Sequence, residues 1–314
     1  MIVAITGGTG FIGKHLIARH VVLGDQVRFL TRRKTASDIL GAVAHTGNLC
    51  SPPDELRQFV RGADVLYHCA AELRNEAEMA STNVHGTSNL LTAATGEIGR
   101  WVQLSSAGIY GSVLHGEIDE DTEISPGNEY EKTKAQSDEL VLAAAVNQRL
   151  PCIVLRPSNV YGIDMPNQSL LQLIGKIDKG MFFFIGKPGA VANYIHIENV
   201  IDAMLLCGTA GLPINGRAYI VSDHRTMERF IDIIASALGK HTPQIRLPES
   251  LVRAATALTD SIPKFPLKSS RVDALTNRVI YRTGRIESEL GYKNRISMEE
   301  GIGELTRYWK NGST

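Results

Sequence analysis

One stretch near the start of the chain, Ile5-Thr6-Gly7-Gly8-Thr9-Gly10-Phe11-Ile12-Gly13-Lys14-His15, constrains the fold more than any other feature. It follows an apolar run, Met1-Ile2-Val3-Ala4-Ile5, suited to a buried parallel strand, and precedes an amphipathic segment over residues 11–23. Strand, tight glycine turn and helix in that order make an anion-binding unit, because a helix N-terminus presents free N–H groups. Two phosphate loops fit the letters. GxxxxGK from Gly8 is the start of a triphosphate loop, and GxGxxG at Gly8, Gly10 and Gly13 is a dinucleotide-binding turn. The triphosphate loop needs a Ser or Thr hydroxyl after the lysine to hold Mg²⁺, and His15 stands there. The dinucleotide reading is the better one: Gly7 and Gly8 permit the turn, Gly10 lets backbone approach a pyrophosphate, and Gly13 lets the helix pack closely on the strand.

The 314 residues, 43% of them hydrophobic, allow one large domain or two smaller ones with a sizeable core. Lys plus Arg and Asp plus Glu number 33 each, so charge gives no reason to expect nucleic acid or an anionic membrane as partner. The first residues read as strand rather than as a charged leader, and no apolar run is long enough to span a bilayer, so a cytoplasmic protein is expected. Cys50, Cys69, Cys152 and Cys207 are dispersed without a CxxC pair. They are expected to be small buried packing residues, with no metal site.

Strand-like and helix-like segments alternate through the first half, which predicts βαβ units: an α/β fold with a doubly wound parallel sheet of the Rossmann type. The strands fall at 27–30, 65–69, 101–104 and 152–155, and the helices at 53–60, 80–96 and 130–148. After Arg156-Pro157 the pattern loosens into a Gly- and aromatic-containing stretch (180–189), a short strand (194–197), a helix from Glu198 and a final amphipathic helix over 298–309. The expected division is a dinucleotide-binding domain over 1–165, to which 194–222 returns, and a smaller C-terminal substrate domain from 166–193 and 223–314. The acidic loop 117–123 is expected to be a solvated flap, and His68 and His196 to serve packing rather than chemistry. The apolar face over 140–146 is either core or half of a homodimer interface.

The second strand ends Leu30-Thr31-Arg32-Arg33-Lys34, with no acid until Asp38. A carboxylate there would hold the adenosine ribose of NAD, whereas arginine accommodates the extra phosphate of NADP, so Arg32 and Arg33 favour NADP. Tyr130 and Lys134 lie i, i+4 on one helix face. An ammonium beside a phenol lowers its pKa and makes it a usable acid or base near neutrality. Ser105 and Ser106 stand upstream at a strand end, where ligands of doubly wound sheets bind.

Taken in order, several segments carry a resemblance: Thr6 to Gly13; His68-Cys69-Ala70-Ala71; Asn83-Val84-His85-Gly86-Thr87; Ser105-Ser106-Ala107-Gly108-Ile109-Tyr110-Gly111; Tyr130-Glu131-Lys132-Thr133-Lys134; Arg156-Pro157-Ser158-Asn159-Val160-Tyr161-Gly162; and Tyr194 to Val200. The chain resembles the extended short-chain dehydrogenases/reductases, the family that includes sugar-nucleotide epimerases and dehydratases. The resemblance implies that Tyr130 is the acid/base, that Lys134 is its pKa-lowering partner and ribose anchor, and that Ser106 positions the reacting oxygen. It implies a cofactor site from Gly7, Gly10, Phe11, Ile12, Gly13, Ala70, Ala71, Asn83, Ser105 and Pro157. Asn48-Leu49 falls where the family usually has Asp-Leu beside the adenine. Asn159 matches a position that touches substrate phosphate or sugar, and Arg271 lies roughly where relatives place a diphosphate-binding arginine.

Three functions remain open on the sequence. A sugar-nucleotide epimerase or 4-keto reductase is favoured by Asn159, the 194–197 segment and Arg271. A hydroxysteroid- or dihydroflavonol-type alcohol dehydrogenase is favoured by the 274–276 and 285–292 segments and by Met181-Phe182-Phe183-Phe184, which would line an apolar pocket. An NADP-sensing module without activity is the third, and the intact Ser106, Tyr130 and Lys134 set speaks against it. Dehydration is disfavoured because Ala107-Gly108 supplies no further acid or base. The expected ligand beyond the cofactor is a nucleotide sugar.

Overall fold

The computed structural model describes residues 1–33, 41–113, 115–147, 150–211, 215–259 and 269–312. From the N-terminus it runs β1 (Ile2–Thr6), α1 (Phe11–Val22), β2 (Gln26–Thr31), β3 (Val43–Thr46), α2 (Pro53–Val60) and β4 (Ala63–His68). An interrupted helix follows: α3 (Glu76–Met79), a π turn (Ala80–His85) and α4 (Gly86–Ala94). Next come β5 (Ile98–Leu104), a 3-10 turn (Ala107–Tyr110), β6 (His115–Ile118), α5 (Glu129–Asn147), β7 (Cys152–Pro157) and β8 (Asn159–Tyr161). The second half holds α6 (Ser169–Asp178), β9 (Phe184–Ile185), β10 (Val191–His196), α7 (Ile197–Thr209), β11 (Arg217–Val221), β12 (Asp223–Thr226) and α8 (Met227–Leu238). It closes with β13 (Arg246–Leu247), α9 (Glu249–Thr259), α10 (Ser269–Thr276), β14 (Arg278–Tyr281), α11 (Gly284–Leu290) and α12 (Met298–Gly312).

A seven-stranded sheet in the order β11-β7-β5-β4-β1-β2-β3 forms the centre, and every pairing in it is parallel. The order reverses between β1 and β4, the place where doubly wound sheets open a crevice at their strand ends. Helices cover both faces. Leu16 and Ile17 of α1 pack with Val200, Ile201 and Met204 of α7 on one side. On the other, α2, α4 and α5 bury Leu56, Phe59, Leu90, Leu91, Val141 and Ala144. A separate apolar core joins α6, α8 and α12 through Ile174, Phe230, Ile231, Ile234 and Ile302. In α8 the sequence sets both ends: the Thr226 hydroxyl accepts from the Arg229 N–H at 3.3 Å, and Gly239, at φ 73°, closes the helix.

Several expectations are corrected. Two further strands join the sheet at its edges, β3 and β11. The strand expected at 194–197 lies instead in a small sheet, β12-β10-β8, and β11 is the late strand beside β7. The loop at 117–123 is exposed at Glu117, Asp119, Asp121 and Glu123, as expected, but it is tied to the rest of the chain rather than an unattached flap. β6 pairs with β14, Arg282 bonds Glu117 at 2.8 Å, Arg285 bonds Asp121 at 2.5 Å, and the Glu120 carboxylate accepts the Ile220 N–H at 2.8 Å. Glu117, Glu120 and Asp121 are held by cations from the C-terminal segment, some 165 residues away, which no local pattern announces. Cys152 and Cys207 are buried as expected, whereas Cys50 is exposed and Cys69 half-buried; all four are free thiols. Lys34 and Asp38 lie outside the described residues.

Candidate active site

The glycine turn lines a cleft of about 710 Å³ at the strand ends, together with Arg32, Arg33, Asn48, Leu49, Ala70, Ala71, Ser105, Ser106, Tyr130, Lys134 and Pro157. The turn accepts no larger residue at its two tightest points. A Cβ on Gly7, at φ +69°, would lie 2.7 Å from the Ala70 nitrogen, and one on Gly13 would lie 2.2 Å from the Gly7 carbonyl oxygen. Facing it, the 69–71 wall is held by a buried chain: the Ala70 N–H bonds the Thr6 hydroxyl, which meets His68 Nδ1 at 2.6 Å, while Nε2 meets the Thr87 hydroxyl at 3.0 Å. Burial first, and the Lys134 charge second, hold the His68 imidazole down at about 3, so it remains a neutral clamp.

Asn83 stands behind the cleft rather than in its lining. Its amide accepts from the Glu72 N–H at 2.7 Å and donates to the Glu72 carbonyl and to Thr133 Oγ1, tying the 72–75 loop to α5. Its backbone carbonyl lies in the π turn and accepts the Ser137 and Thr87 hydroxyls, both at 2.6 Å. Glu72, which the sequence reading missed, caps the N–H groups of Leu73, Arg74 and Asn75. Those bonds, with the Arg32 charge adding, hold its carboxyl below the usual range, so Arg32 has a carboxylate neighbour after all. Asn48 is exposed and its side chain accepts the Cys50 N–H.

Tyr130 is half-buried in the first turn of α5 and lines the cleft with Ser106, whose nearby hydroxyl favours the ionised phenol. Ser106 Oγ accepts the Gly108 N–H at 3.1 Å. The expectation that Lys134 lowers the Tyr130 pKa is not met. Burial pushes the phenol up to about 12, the Asp138 and Glu131 charges add to this, and the Ser106 hydroxyl alone opposes it. Lys134 is buried and its Nζ donates to the Leu104 carbonyl at 2.5 Å. Ser105 Oγ donates to Asp138 at 2.8 Å, so this hydroxyl turns away from the cleft.

Strand β8 divides this cleft from a second cavity of about 540 Å³. Ser158 and Val160 line the cleft, and Asn159 lines the cavity, as strand alternation requires. The cavity walls are mostly apolar, with Leu173, Met181, Phe182, Phe183, Met227 and Phe230 among them. Arg271 also lines it and bonds Gln172 at 2.9 Å, with Lys176 close enough that the arginine's charge adds to burial in lowering the lysine's pKa. His196, in line with expectation, caps α7 by accepting the Glu198 N–H at 3.3 Å.

The family model for the NAD dependent epimerase/dehydratase family matches residues 3–221. The chain belongs to that family. Among its relatives, the 4-hydroxy-2-methyl-3-oxo-4-farnesyl-3,4-dihydroquinoline-1-oxide ketoreductase of Stigmatella aurantiaca is 30% identical, the alignment covering 96% of this chain and 94% of the other. The 3beta-hydroxysteroid-dehydrogenase/decarboxylase isoform 1 of Arabidopsis thaliana is 26% identical over 95% and 77% of the two chains. The crystal structure of UDP-glucose 4-epimerase with UDP-glucose from Thermotoga maritima superposes with a TM-score of 0.76 at 19% identity, covering all of both chains, which shows the shared fold. As a family member the protein is an NAD(P)-dependent enzyme of the short-chain dehydrogenase/reductase type. The cleft suits a dinucleotide on its own geometry, because the Gly7 and Gly13 close approaches hold the turn tight against the 69–71 wall and the start of α1, the compact strand–turn–helix arrangement of a pyrophosphate site. No helix among the described residues is long and apolar enough to cross a membrane, and they contain no cluster of metal ligands.

Proposed function

We propose that the protein is a ketone reductase or secondary-alcohol dehydrogenase whose substrate carries its carbonyl on a largely apolar scaffold. The observation that carries this reading is the apolar cavity beyond β8, with Phe182, Phe183, Met227 and Phe230 in its walls. The apolar walls suit an apolar ligand body, and Asn159, Asn193, Asn277 and Tyr281 supply polar groups that would orient it. The Stigmatella and Arabidopsis relatives are named for ketoreductase and hydroxysteroid dehydrogenase activities, which agrees with it. In the cofactor site, Gly7, Gly10, Phe11, Ile12 and Gly13 hold the pyrophosphate, Ala70, Ala71 and Pro157 line the nicotinamide side, and Arg32 with Arg33 favours NADP.

A bound nicotinamide supplies or accepts the hydride. Ser106 orients the substrate oxygen, Tyr130 gives it a proton as the carbonyl becomes a secondary alcohol, and Lys134 anchors the ribose side of the cleft. A phenol held up at about 12 is fully protonated at neutral pH, the state that reduction consumes. A nucleotide sugar is the second reading, favoured by Arg271 and Lys176: among the described residues neither is paired with a carboxylate, and both face the cavity. Tyr130→Phe tests the chemistry by NADPH consumption with a panel of apolar ketones and 4-keto nucleotide sugars. The expected result is turnover of the apolar ketones, lowered ~10² to 10⁴-fold in Tyr130→Phe with the fold kept. Turnover confined to nucleotide sugars and abolished by Arg271→Ala would overturn the substrate assignment.

A further inference from the structure

Beneath Tyr130 and Lys134 lies a charged cluster that none of the site roles above uses. Asp138 is 1% exposed, four residues after Lys134 and eight after Tyr130, on the same buried face of α5. Its Oδ2 accepts the Ser105 hydroxyl at 2.8 Å and Arg156 Nε at 3.1 Å, while its Oδ1 has no partner among the described residues. Arg156, 2% exposed, is fixed from its other end, with Nη1 donating to the Tyr110 hydroxyl at 2.7 Å. Lys134 and Asp138 are thus both bonded to the end of β5, one to the Leu104 carbonyl and the other to Ser105.

The groups facing Lys134 are Asp138 on its own helix, His68 and Cys69 at the end of β4, and the Leu104 carbonyl from β5. Those facing Asp138 are Lys134 and Tyr130 on α5, Ser105 after β5, Tyr110 from the 3-10 turn and Arg156 from β7. One buried carboxylate, paired directly with Arg156 at 3.1 Å, therefore lies one helical turn from a second buried cation, Lys134. Removing a charge from such a set leaves its partner uncompensated in a poorly solvated place, where an amine prefers to lose its proton. We propose that Asp138 is the counter-ion that keeps Lys134 a cation in its buried seat, and that through Lys134 it sets the upper pH limit for cofactor binding. Asp138 is a positioning residue in this role, which rests on the reading of Lys134 as the ribose anchor given above. Burial pulls the Lys134 pKa down and the Asp138 charge pulls it back up, in keeping with that assignment.

The test is the pH dependence of NADPH affinity, read from nicotinamide fluorescence between about pH 6 and pH 10. Asp138→Asn preserves the shape of the side chain and removes its charge. Affinity in the variant is expected to fall off about one pH unit lower than in the wild type, and Asp138→Glu to return the fall toward its original position. An unmoved fall in Asp138→Asn overturns the role and leaves a structural link between α5 and β7. Should Asp138→Asn fail to fold, Ser105→Ala removes one hydrogen bond from the same carboxylate and is expected to move the fall the same way by less; no movement there overturns the role equally. Lys134→Met, run alongside, separates the two levels. Unaltered affinity in Lys134→Met overturns both the ribose anchor and the Asp138 role, while weakened affinity with an unmoved Asp138→Asn profile overturns the Asp138 role alone.

Discussion

Tyr130 and Arg32 show how a residue chosen by type is redefined by what lies beside it. The tyrosine's ionisation is opposed by burial and by Asp138, so its working state in the ligand-free cleft is the neutral phenol. Arg32 is an exposed guanidinium whose described neighbour is the Glu72 carboxylate. A phosphate on the ribose would gain the arginine's charge, whereas a ribose hydroxyl would gain far less. Arg32→Ala is therefore expected to weaken NADP at least ten-fold more than NAD in equilibrium titrations, and equal losses for the two nucleotides would remove the phosphate site. Gly13, whose role depends on backbone shape, was legible from the GxGxxG spacing, whereas Gly7, at φ +69°, stands outside that spacing and was read only as one of the turn glycines. Glu72 and Asp138 were not legible, because one acts through the N–H groups of its own loop and the other through partners on β5 and β7.

At the scale of elements, sequence periodicity found what is amphipathic or fully buried and missed what is neither. α2 was read over 53–60, the same residues the structure gives, helped by Pro53 and two acids in its first turn. β3 was missed because an edge strand, Val43–Thr46, is nowhere fully buried and so carries no apolar run. The helix expected over 80–96 runs to Ala94 but opens with the π turn that places Asn83, a local departure no apolar period records. α8 carries the strongest packing claim. Its Phe230 is fully buried, stacks on Tyr194 at 5.0 Å between ring centroids and lines the second cavity. Phe230→Ala is expected to cost ~3–5 kcal/mol, measured as a fall in the urea midpoint. A loss below about 1 kcal/mol would mean that the stack contributes little.

Across the whole molecule, two carboxylate clusters tie distant segments together. Glu198 joins His15 and Arg19 of α1 to Arg295, and Glu299 of α12 bonds Arg225 of β12 at 2.6 Å. Both carboxyls are held down at about 2, Glu198 chiefly by its bond with His15 and Glu299 by its bond with Arg225. A carboxyl with a depressed folded pKa stabilises the fold above its unfolded value, and that stabilisation is lost as pH falls toward the folded one. The melting temperature is expected to drop between about pH 4.5 and pH 2, and a Glu198→Gln, Glu299→Gln variant to start lower at neutral pH and fall less steeply. An identical slope in that variant would place the acid sensitivity elsewhere.

The cleft and the apolar cavity meet at β8, and net ketone reduction at that junction requires the cofactor to leave after each turnover. An epimerase returns its hydride within one cycle and can keep its nucleotide. Mass spectrometry of the nucleotide released when the purified protein is denatured distinguishes the two most directly. Net reduction predicts far less than one nucleotide per chain, with NADPH binding reversibly when added; one tightly retained NAD per chain would contradict it.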